Sequence, residues 1–271
     1  MNGFELGPSL LFCPADRPDR FEKAAARADA VILDLEDAVS PERRPDARLA
    51  LAKHPLDPEA TIIRLNPAGS ADFDADLEAV AATDYRLVML AKTESAADID
   101  RVGPGYRVVA LCETARGVLA AQDIAEHSST VALMWGAEDL VASLGGTASR
   151  NGDGRYRSLA LHARSTVLLA AGASGRAAID SVYLDIGDLS GLLEEVQDAA
   201  ASGFSATACI HPGQVATIRA GYAPEPAQLA AARAVLEAAE THRGVFQLDG
   251  VMVDEPVLRH ARNILRRSGS E

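Results

Sequence analysis

Two acidic residues stand where metal-binding or capping side chains are usually found. Glu113 ends a short apolar segment, and Asp139 follows another within Gly136-Ala137-Glu138-Asp139. Mg2+ is commonly held by one or two carboxylates, and water and substrate oxygens complete its octahedron. The alternative is that such acids cap the following helices, since Asp139 precedes the helix-like segment Leu140-Val141-Ala142. Zinc is disfavoured because the chain has no H-x-x-x-H pattern and no cysteine cluster.

Arg64 lies within an otherwise apolar segment, on the face that it shares with Ile62 and Asn66 in an extended chain. A buried charge is costly unless a partner compensates it. One interpretation is a structural ion pair with Glu36 or Asp37. The other is a planar fork that binds a substrate carboxylate, and one arginine can serve both purposes.

Lys92 follows the fourth apolar segment, in a chain whose lysines are Lys23, Lys53 and Lys92. A desolvated lysine can form a Schiff base with a carbonyl substrate. An ion pair with a neighbouring carboxylate is the favoured interpretation of this residue, and Schiff-base chemistry is the alternative.

Basic residues cluster after the first two apolar segments, and their members are Arg17, Arg20, Lys23 and Arg27, then Arg43, Arg44 and Arg48. Two such groups beside one face of a protein could bind a polyphosphate. Composition alone favours solvated helix faces, because acidic residues alternate with the basic ones. No G-x-x-x-x-G-K-[ST] and no G-x-G-x-x-G pattern occurs, so nucleotide binding by those loops has no support.

Eight short, nearly continuous apolar runs are typical of strands that are buried on both faces. They are Ser9–Cys13, Ala30–Glu36, Thr61–Asn66, Arg86–Leu90, Arg107–Glu113, Val131–Gly136, Ser181–Ile186 and Ala206–His211. Stretches of helical composition separate them, which predicts a parallel sheet with helical crossovers. Eight repeats favour a closed (β/α)8 barrel over an open doubly wound sheet. In such barrels the active site lies at the carboxyl ends of the strands, where the residues above would meet.

The predicted domains are a catalytic barrel over residues 1–223 and a C-terminal extension over residues 224–271. Gly221-Tyr222-Ala223-Pro224 marks the boundary. The extension is predicted to contain a helix over Ala227–His242, an irregular stretch over Val245–Pro256 and a helix over Val257–Arg267. We expect this helical extension to act as a lid on the barrel.

The overall composition excludes several functions. The chain has 271 residues, 39 Asp and Glu against 26 Lys and Arg, and a formal charge of −13. This acidic balance argues against nucleic-acid binding and against a polybasic membrane anchor. The long spacing of Cys13, Cys112 and Cys209 predicts buried thiols in a reducing compartment. With no signal sequence and no long apolar run, we expect a soluble cytoplasmic protein without a membrane partner.

An ordered set of motifs resembles the citrate lyase β-subunit-like proteins, which belong with malyl-CoA lyases in the HpcH/HpaI aldolase superfamily. The motifs are Leu11-Phe12-Cys13-Pro14-Ala15-Asp16-Arg17, Ala30-Val31-Ile32-Leu33-Asp34-Leu35-Glu36-Asp37, Ile63-Arg64-Leu65-Asn66, Ala91-Lys92-Thr93-Glu94-Ser95, Cys112-Glu113-Thr114-Ala115, Trp135-Gly136-Ala137-Glu138-Asp139, Ile210-His211-Pro212-Gly213 and Leu248-Asp249-Gly250-Val251. The first motif has Cys13-Pro14-Ala15 where relatives often have Val-Pro-Gly, and Ala91 stands where many have proline. Neither change removes a proposed ligand.

The resemblance implies particular site residues. It implies Mg2+, or Mn2+ in its place, on Glu113 and Asp139, and a substrate 2-oxo acid held by Arg64 with Gly136, Ala137 and Asp37. It implies an acidic catalytic residue from the tail of a neighbouring subunit, for which Asp249 is the match, with Arg64 and Glu36 as the other catalytic residues. Coenzyme A, as part of the substrate, would contact Arg17, Arg20, Lys23, Arg43 and Arg44.

The resemblance also implies an activity and an assembly. The activity is a Mg2+-dependent acyl-CoA lyase that interconverts malyl-, methylmalyl-, citramalyl- or citryl-CoA with acetyl- or propionyl-CoA and a 2-oxo acid. The assembly is a homotrimer or a dimer of trimers. Two alternatives remain open: an aldolase acting on free 2-oxo acids, and a citrate lyase β-subunit that works only in a complex with an acyl carrier protein.

Overall fold

Eight parallel strands form a closed barrel in chain order, and pairing of the first strand with the eighth closes it. The computed structural model describes residues 4–242 and 244–268. The strands are β1 Ser9–Pro14, β2 Ala30–Asp34, β3 Thr61–Leu65, β4 Leu87–Leu90, β5 Arg107–Cys112, β6 Thr130–Trp135, β7 Ala177–Asp180 and β8 Ala206–Cys209. The predicted (β/α)8 barrel is therefore confirmed.

Helices connect consecutive strands and continue beyond the last one. They are α1 Phe21–Ala25, α2 Arg44–Lys53, α3 Phe73–Ala81, α4 Ala96–Val102, α5 Ala115–Leu119, α6 Ala121–Glu126, α7 Ala137–Ser143, α8 Ser158–Ala173, α9 Leu189–Ser202, α10 Val215–Tyr222, α11 Pro226–Thr241 and α12 Glu255–Arg267. Local chemistry defines several ends. Ser95 and Asp98 form a capping box at α4, and the Asp188 side chain caps α9 by accepting the amide of Gly191.

The inside of the barrel is an apolar cluster built from every second residue of the strands, such as Ala30 and Ile32 of β2 and Val109 and Leu111 of β5. Side chains alternate between the two faces of a strand. The next inward position after Ile32 is Asp34, and the next after Leu111 is Glu113. The apolar series of the core therefore changes to carboxylates where the strands end.

The seventh strand was wrongly predicted at Ser181–Ile186, because β7 spans Ala177–Asp180. The composition of Ser181–Ile186 is more typical of a strand. The position of the preceding helix, however, places the strand earlier in the chain. Helix α8 ends at Ala173 and the chain turns back through Gly175, whose φ is +63°, so pairing with β6 begins at Ala177. The pairing with β6 and the short loop after α8 therefore outweigh the strand propensity of residues 181–186.

The chain forms two compact units that divide between Ile218 and Arg219, within α10. In the second unit α11 packs against α12. The stretch Val245–Pro256 was wrongly predicted to be irregular, since it contains an antiparallel hairpin of β9 (Phe246–Leu248) and β10 (Val251–Val253). The boundary after residue 223 and the lid function of the extension stay predictions. No helix of the described residues is long and apolar enough to cross a membrane.

Candidate active site

Polar side chains from four consecutive strand ends and from the first turn of α7 meet at one end of the barrel. Arg64 lies in β3, Lys92 follows β4, and Glu113 follows β5. Asp34 ends β2, and Asp139 is the third residue of α7. The structure thus brings together the predicted residues Arg64, Glu113 and Asp139, together with Lys92.

The guanidinium of Arg64 is held in a forked pair by Asp34. Its Nε donates to Oδ1 at 2.7 Å and its Nη2 donates to Oδ2 at 2.6 Å. Nη1 lies 3.0 Å from Glu36 Oε2, and the Phe12 ring lies against the guanidinium. Burial opposes the charge of Arg64, but the carboxylates of Asp34, Glu36 and Glu113 together outweigh it and raise the pKa of Arg64. Arg64 therefore stays charged, with its plane fixed by two carboxylates.

The predicted partner Asp37 makes a different contact. Its Oδ2 lies 3.2 Å from the Nζ of Lys92, and Glu36 makes a short hydrogen bond to the same ammonium. Glu36 thus joins Arg64 to Lys92. Burial raises the pKa of Glu36, although Arg64 and Lys92 oppose it. For Asp37 burial acts in the same direction, but Lys92, Arg64 and a hydrogen bond with Glu36 together outweigh it and lower the pKa of Asp37.

The Lys92 ammonium also reaches the two predicted metal ligands. Its Nζ lies 3.9 Å from Glu113 Oε1 and 3.3 Å from Asp139 Oδ1. Burial would lower the pKa of Lys92, but hydrogen bonding to Glu36 and the surrounding carboxylates raise it. A Schiff-base lysine needs a neutral amine, so this setting stands against that alternative and supports the ion-pair interpretation.

Glu113 is nearly inaccessible to solvent, at 3% exposure, whereas the side chain of Asp139 is 37% exposed. Burial, followed by the charge of Asp139, raises the pKa of Glu113 to about 8. The N-cap of α7 is Gly136 rather than Asp139, so capping does not account for this acid. A buried carboxylate beside a second acid is the electrostatic setting that a divalent cation relieves.

The charges of the cluster do not balance. Five carboxyl groups face the two cationic side chains of Arg64 and Lys92, and they are Asp34, Glu36, Asp37, Glu113 and Asp139. Fully ionised, the cluster carries an excess of negative charge. In the described part of the chain, no group of three or more His, Cys, Asp or Glu side chains is arranged to hold a metal. Two carboxylates with open positions suit Mg2+, which keeps water and substrate oxygens as its other ligands.

Gly136 lies directly against Glu113. A Cβ atom at this glycine would stand 2.8 Å from Glu113 Cβ and 2.9 Å from Glu113 Oε2. The preceding Trp135 is buried, and its Nε1 donates to Asp180 Oδ1 at 2.6 Å. Arg164 also binds Asp180, with its Nη2 2.8 Å from Oδ2. The glycine thus gives Glu113 room, while the tryptophan anchors the chain just before it.

The predicted coenzyme A contacts differ in their surroundings. Arg17, Arg20 and Lys23 are exposed. Arg17 pairs with Asp19 at 3.1 Å, and Arg43 lies 3.6 Å from Asp16. A cleft of about 280 Å3 lies beside Arg43, and its lining residues are Asp16, Pro18, Arg43, Asp46, Leu49, Ala50, Lys53 and His54.

Arg44 has a structural partner. Its guanidinium makes a short contact with Asp72, to which Arg48 also binds, at 2.6 Å. The side chain of Arg44 is mostly buried, at 18% exposure. It therefore joins α2 to the start of α3, and among the five predicted basic contacts it is the least available to a ligand.

Asp249 occupies the tip of the hairpin in the second unit. Its φ is +49°, and the following Gly250 has a φ of +83°. Leu248 pairs with Val251, so these two residues form the whole loop. This is the geometry of a type I′ turn, in which Asp-Gly is favoured because both positions need a positive φ. Asp249 is exposed there.

Two functional contacts escaped the sequence-based reasoning. Asp34 was assigned no role, although it is the principal partner of Arg64. Its signal is partial: Asp34 is a polar residue at the end of an apolar run, but its pairing with Arg64 depends on the register of β2 and β3. The gathering of four carboxylates around Lys92 had no such signal, because it depends on distances between separate strands.

The fold and the strand-end cluster define a class, that of TIM-barrel enzymes whose acids and bases lie at the carboxyl ends of the strands. The family model described as HpcH/HpaI aldolase/citrate lyase matches residues 8–212. A second model, described as a C-C bond lyase of the TIM-barrel fold, matches residues 162–270. The chain belongs to the HpcH/HpaI aldolase/citrate lyase family, and its enzyme class is that of the carbon–carbon lyases.

Individual relatives agree with this assignment. The citrate lyase subunit beta-like protein of Mycobacterium tuberculosis (strain H37Rv) is 56% identical over 269 residues, which cover 99% of this chain and 98% of the relative. The (3S)-malyl-CoA thioesterase of Cereibacter sphaeroides (strain ATCC 17029) is 34% identical, over 96% of this chain and 94% of the relative. The crystal structure of protein CitE from M. tuberculosis in complex with magnesium, acetoacetate and coenzyme A has a TM-score of 0.94 at 56% identity, covering 97% of this chain and 98% of that one.

Proposed function

We propose that the protein is a Mg2+-dependent acyl-CoA lyase that cleaves or forms the C–C bond between a 2-oxo acid and acetyl- or propionyl-CoA. The excess of carboxylates over cations at the strand ends is the observation that carries this proposal. A relative of 56% identity has been crystallised with magnesium, acetoacetate and coenzyme A, which supports it.

Glu113 and Asp139 are the residues that would hold the Mg2+. Their oxygens are hard ligands, they face the same ammonium, and the missing side chain of Gly136 lets Glu113 take its position. When bound, the cation supplies positive charge for the hydroxyl and carboxylate oxygens of the substrate and makes that hydroxyl more acidic.

Arg64 binds the carboxylate of the 2-oxo acid. A guanidinium has five N–H donors; Asp34 accepts one from Nε and one from Nη2, and Glu36 Oε2 lies 3.0 Å from Nη1 as an ion-pair partner. One N–H of each terminal nitrogen therefore stays available for a second carboxylate. Because Asp34 and Glu36 fix the plane, substrate binding costs little reorganisation. Gly136, Ala137 and Asp37 are the proposed further contacts of the acid.

Asp249 is the proposed proton donor and acceptor. In cleavage, the hydroxyl of the β-hydroxyacyl thioester gives its proton to the Asp249 carboxylate, and its electrons form the carbonyl of the 2-oxo acid. The C–C bond breaks at the same time, and its electron pair forms the thioester enolate. The enolate carbon then takes a proton, and a positioned carboxyl group can supply it. We also propose that the extension is a lid whose Asp249 serves a neighbouring subunit, within a homotrimer or a dimer of trimers. Exposed leucines on the barrel, Leu119 at 85% and Leu169 at 72%, suit burial in such an assembly.

Coenzyme A is the proposed ligand of the basic groups after β1 and β2. Arg17, Arg20, Lys23 and Arg43 are exposed and offer positive charge on a protein of net charge −13. Phosphate binding through such side chains weakens as salt rises. We therefore expect the affinity for acetyl-CoA to fall between about 50 and about 500 mM salt, because the screening of charges increases over this range. An affinity that does not change would count against these contacts.

The test is a panel of malyl-, β-methylmalyl-, citramalyl- and citryl-CoA, assayed with Mg2+. Two products are followed separately, the 2-oxo acid as its phenylhydrazone and the free thiol of coenzyme A with a disulfide reagent. Release of a 2-oxo acid without free thiol supports the lyase. Free thiol released from the same substrates would show a thioester hydrolysis, the activity named for the Cereibacter relative.

Two variants control this assay. Glu113→Gln and Asp139→Asn should remove both Mg2+ binding and turnover while circular dichroism stays that of the parent.

Turnover of free hydroxy acids without any CoA ester would instead support the aldolase alternative. Activity that depends on an added acyl carrier protein would support the citrate lyase β-subunit alternative. A fully active double variant would overturn the metal site.

A further inference from the structure

The ammonium of Lys92 lies at the centre of the carboxylate cluster. Its Nζ is 3.2 Å from Asp37 Oδ2, 3.3 Å from Asp139 Oδ1 and 3.9 Å from Glu113 Oε1, and it makes a short contact with Glu36. Glu113 and Asp139 are the two acids that would hold a divalent cation. The ammonium and the cation therefore share their carboxylates.

The backbone of Lys92 also contacts Glu113. Its φ is +48°, in the left-handed region that a non-glycine residue seldom adopts. In this conformation its amide donates to Glu113 Oε1 at 3.0 Å. Glu113 thus contacts both the main chain and the side chain of one residue. Backbone strain of this kind is concentrated at functional sites, and here it allows Lys92 to contact Glu113 through its amide.

We propose that Lys92 tunes the affinity of the metal site: while no divalent cation is bound, its ammonium pairs with Glu113 and Asp139, and it competes with the cation for their oxygens. Cation binding then moves the ammonium away from these two acids and leaves it with Glu36 and Asp37. This inference rests on the proposed function, because it assumes that a cation binds Glu113 and Asp139.

The chemistry of lysine suits this role. An ammonium is a compact point charge with three rotatable donors on a flexible stem, so it can exchange one set of carboxylates for another. With 29% of its side chain exposed, Lys92 also has room to move. Two cations near the same oxygens repel each other, and removing one should strengthen the binding of the other.

The test is a titration of the protein with Mn2+. The electron paramagnetic resonance signal of the free ion measures how much Mn2+ remains unbound. The variants are Lys92→Met and, as a matched control, Lys53→Met, which removes the same charge from the end of α2. We expect Lys92→Met to bind Mn2+ roughly 5- to 50-fold more tightly. Lys53→Met should stay within about twofold of the parent, as expected for a distant, screened charge.

Lys92→Arg keeps the charge and should stay closer to the parent than Lys92→Met does. If Lys92→Met destabilises the fold, Lys92→Arg and Lys92→Gln still give the comparison between a charged and a neutral side chain. Unchanged or weaker Mn2+ binding by the neutral variants would overturn the inference while leaving the metal site intact. Absence of Mn2+ binding in every protein, the parent included, would overturn the metal site of the proposed function and this inference with it.

Discussion

Asp34 and Arg64 are register partners in the adjacent strands β2 and β3, and their side chains join in two parallel hydrogen bonds of 2.7 and 2.6 Å. Both the main chains and the side chains of the two residues are thus aligned. Asp34 is inaccessible to solvent, and its two oxygens also accept the amides of Glu36 and Ala38. The orientation of Arg64 is therefore set by the barrel wall itself.

Asp34→Asn should weaken the use of the 2-oxo acid substrate. The variant places an amide N–H against a guanidinium donor, so Arg64 loses one arm of the fork and its fixed plane. We expect kcat/KM to fall by about 10- to 100-fold, mainly through KM, and the free energy of unfolding to fall by about 2–4 kcal/mol. Steady-state kinetics and urea unfolding measure the two effects.

The matched control for Asp34→Asn is Asp19→Asn, which breaks the exposed pair with Arg17. It should leave the stability unchanged, because exposed pairs contribute little. Equal losses of stability in both variants would contradict the special position of Asp34.

The stability of the protein in EDTA should depend on the protonation of Glu113. Burial, then the charge of Asp139, raises its pKa from 4.5 to about 8. A raised pKa in the folded state means that the protonated form is favoured by folding. The resulting stabilisation is complete below the pKa of the unfolded chain and is lost as the pH rises towards 8.

Comparison with Glu113→Gln isolates this contribution, because glutamine has the same shape and no titration. Between pH 5 and pH 8.5 the parent should lose about 1–3 kcal/mol of unfolding free energy relative to the variant. Denaturant titrations across the pH range measure the difference. Parallel pH profiles of the two proteins would argue against a raised pKa.

Gly136→Ala should displace Glu113. The new methyl group would meet Glu113 Cβ and Oε2 at less than van der Waals distance, and the carboxylate would have to move. We expect weaker Mn2+ binding and a loss of about 1–3 kcal/mol of stability, as for other overpacked sites. Metal titration and thermal unfolding report the two effects.

Gly172→Ala is the control for Gly136→Ala. Gly172 lies in the last turn of α8, and no atom would contact its new methyl group within 4 Å. This variant should be more stable by about 0.5–1 kcal/mol, because alanine loses less backbone entropy in a helix. Metal binding like that of the parent in both variants would show that Gly136 does not determine the position of Glu113.

Asp249→Asn should abolish most turnover without disturbing the hairpin. Asparagine accepts the left-handed conformation of the turn but cannot exchange a proton. We expect kcat to fall by about 10²- to 10⁴-fold, the usual contribution of a general acid or base. Asp254→Asn is the control, since Asp254 caps α12 and asparagine caps equally well.

Mixing the two inactive variants tests the neighbouring-subunit role of Asp249. If the extension serves the site of another subunit, co-refolded Asp249→Asn and Glu113→Gln chains should regain part of the activity. Activity confined to unmixed parent protein would instead place Asp249 in the site of its own chain.

The sequence predicted the barrel because seven of its strands are continuous apolar runs at the predicted places. The strand-end position led to Glu113, since a continuous apolar run ends just before it. The sequence-based prediction failed for β7. Ala177 and Ala178 are residues typical of a helix, and the pairing with β6 determines where this strand lies. The prediction also missed the hairpin, although Asp249-Gly250 between apolar residues is a strong turn signal.

The contacts within the candidate site could be predicted only in part. Arg64 had to be paired, and Glu36 or Asp37, which follow β2, was expected as its partner. Asp34 was not among them, because only the register of β2 and β3 places it opposite Arg64. The position of Lys92 among four carboxylates depends on a left-handed residue after β4. No pattern along one strand specifies such a turn for a lysine.

The chain contains one tryptophan, and it is Trp135, next to Gly136 in the site. Its indole is hydrogen-bonded to Asp180 and packs edge-on against Tyr156 at 5.2 Å between ring centroids. The indole emission of the protein therefore arises from a single residue, one position away from the glycine that faces Glu113. A ligand that displaces Gly136 or Glu113 should therefore change this emission, so that binding can be followed without an added label.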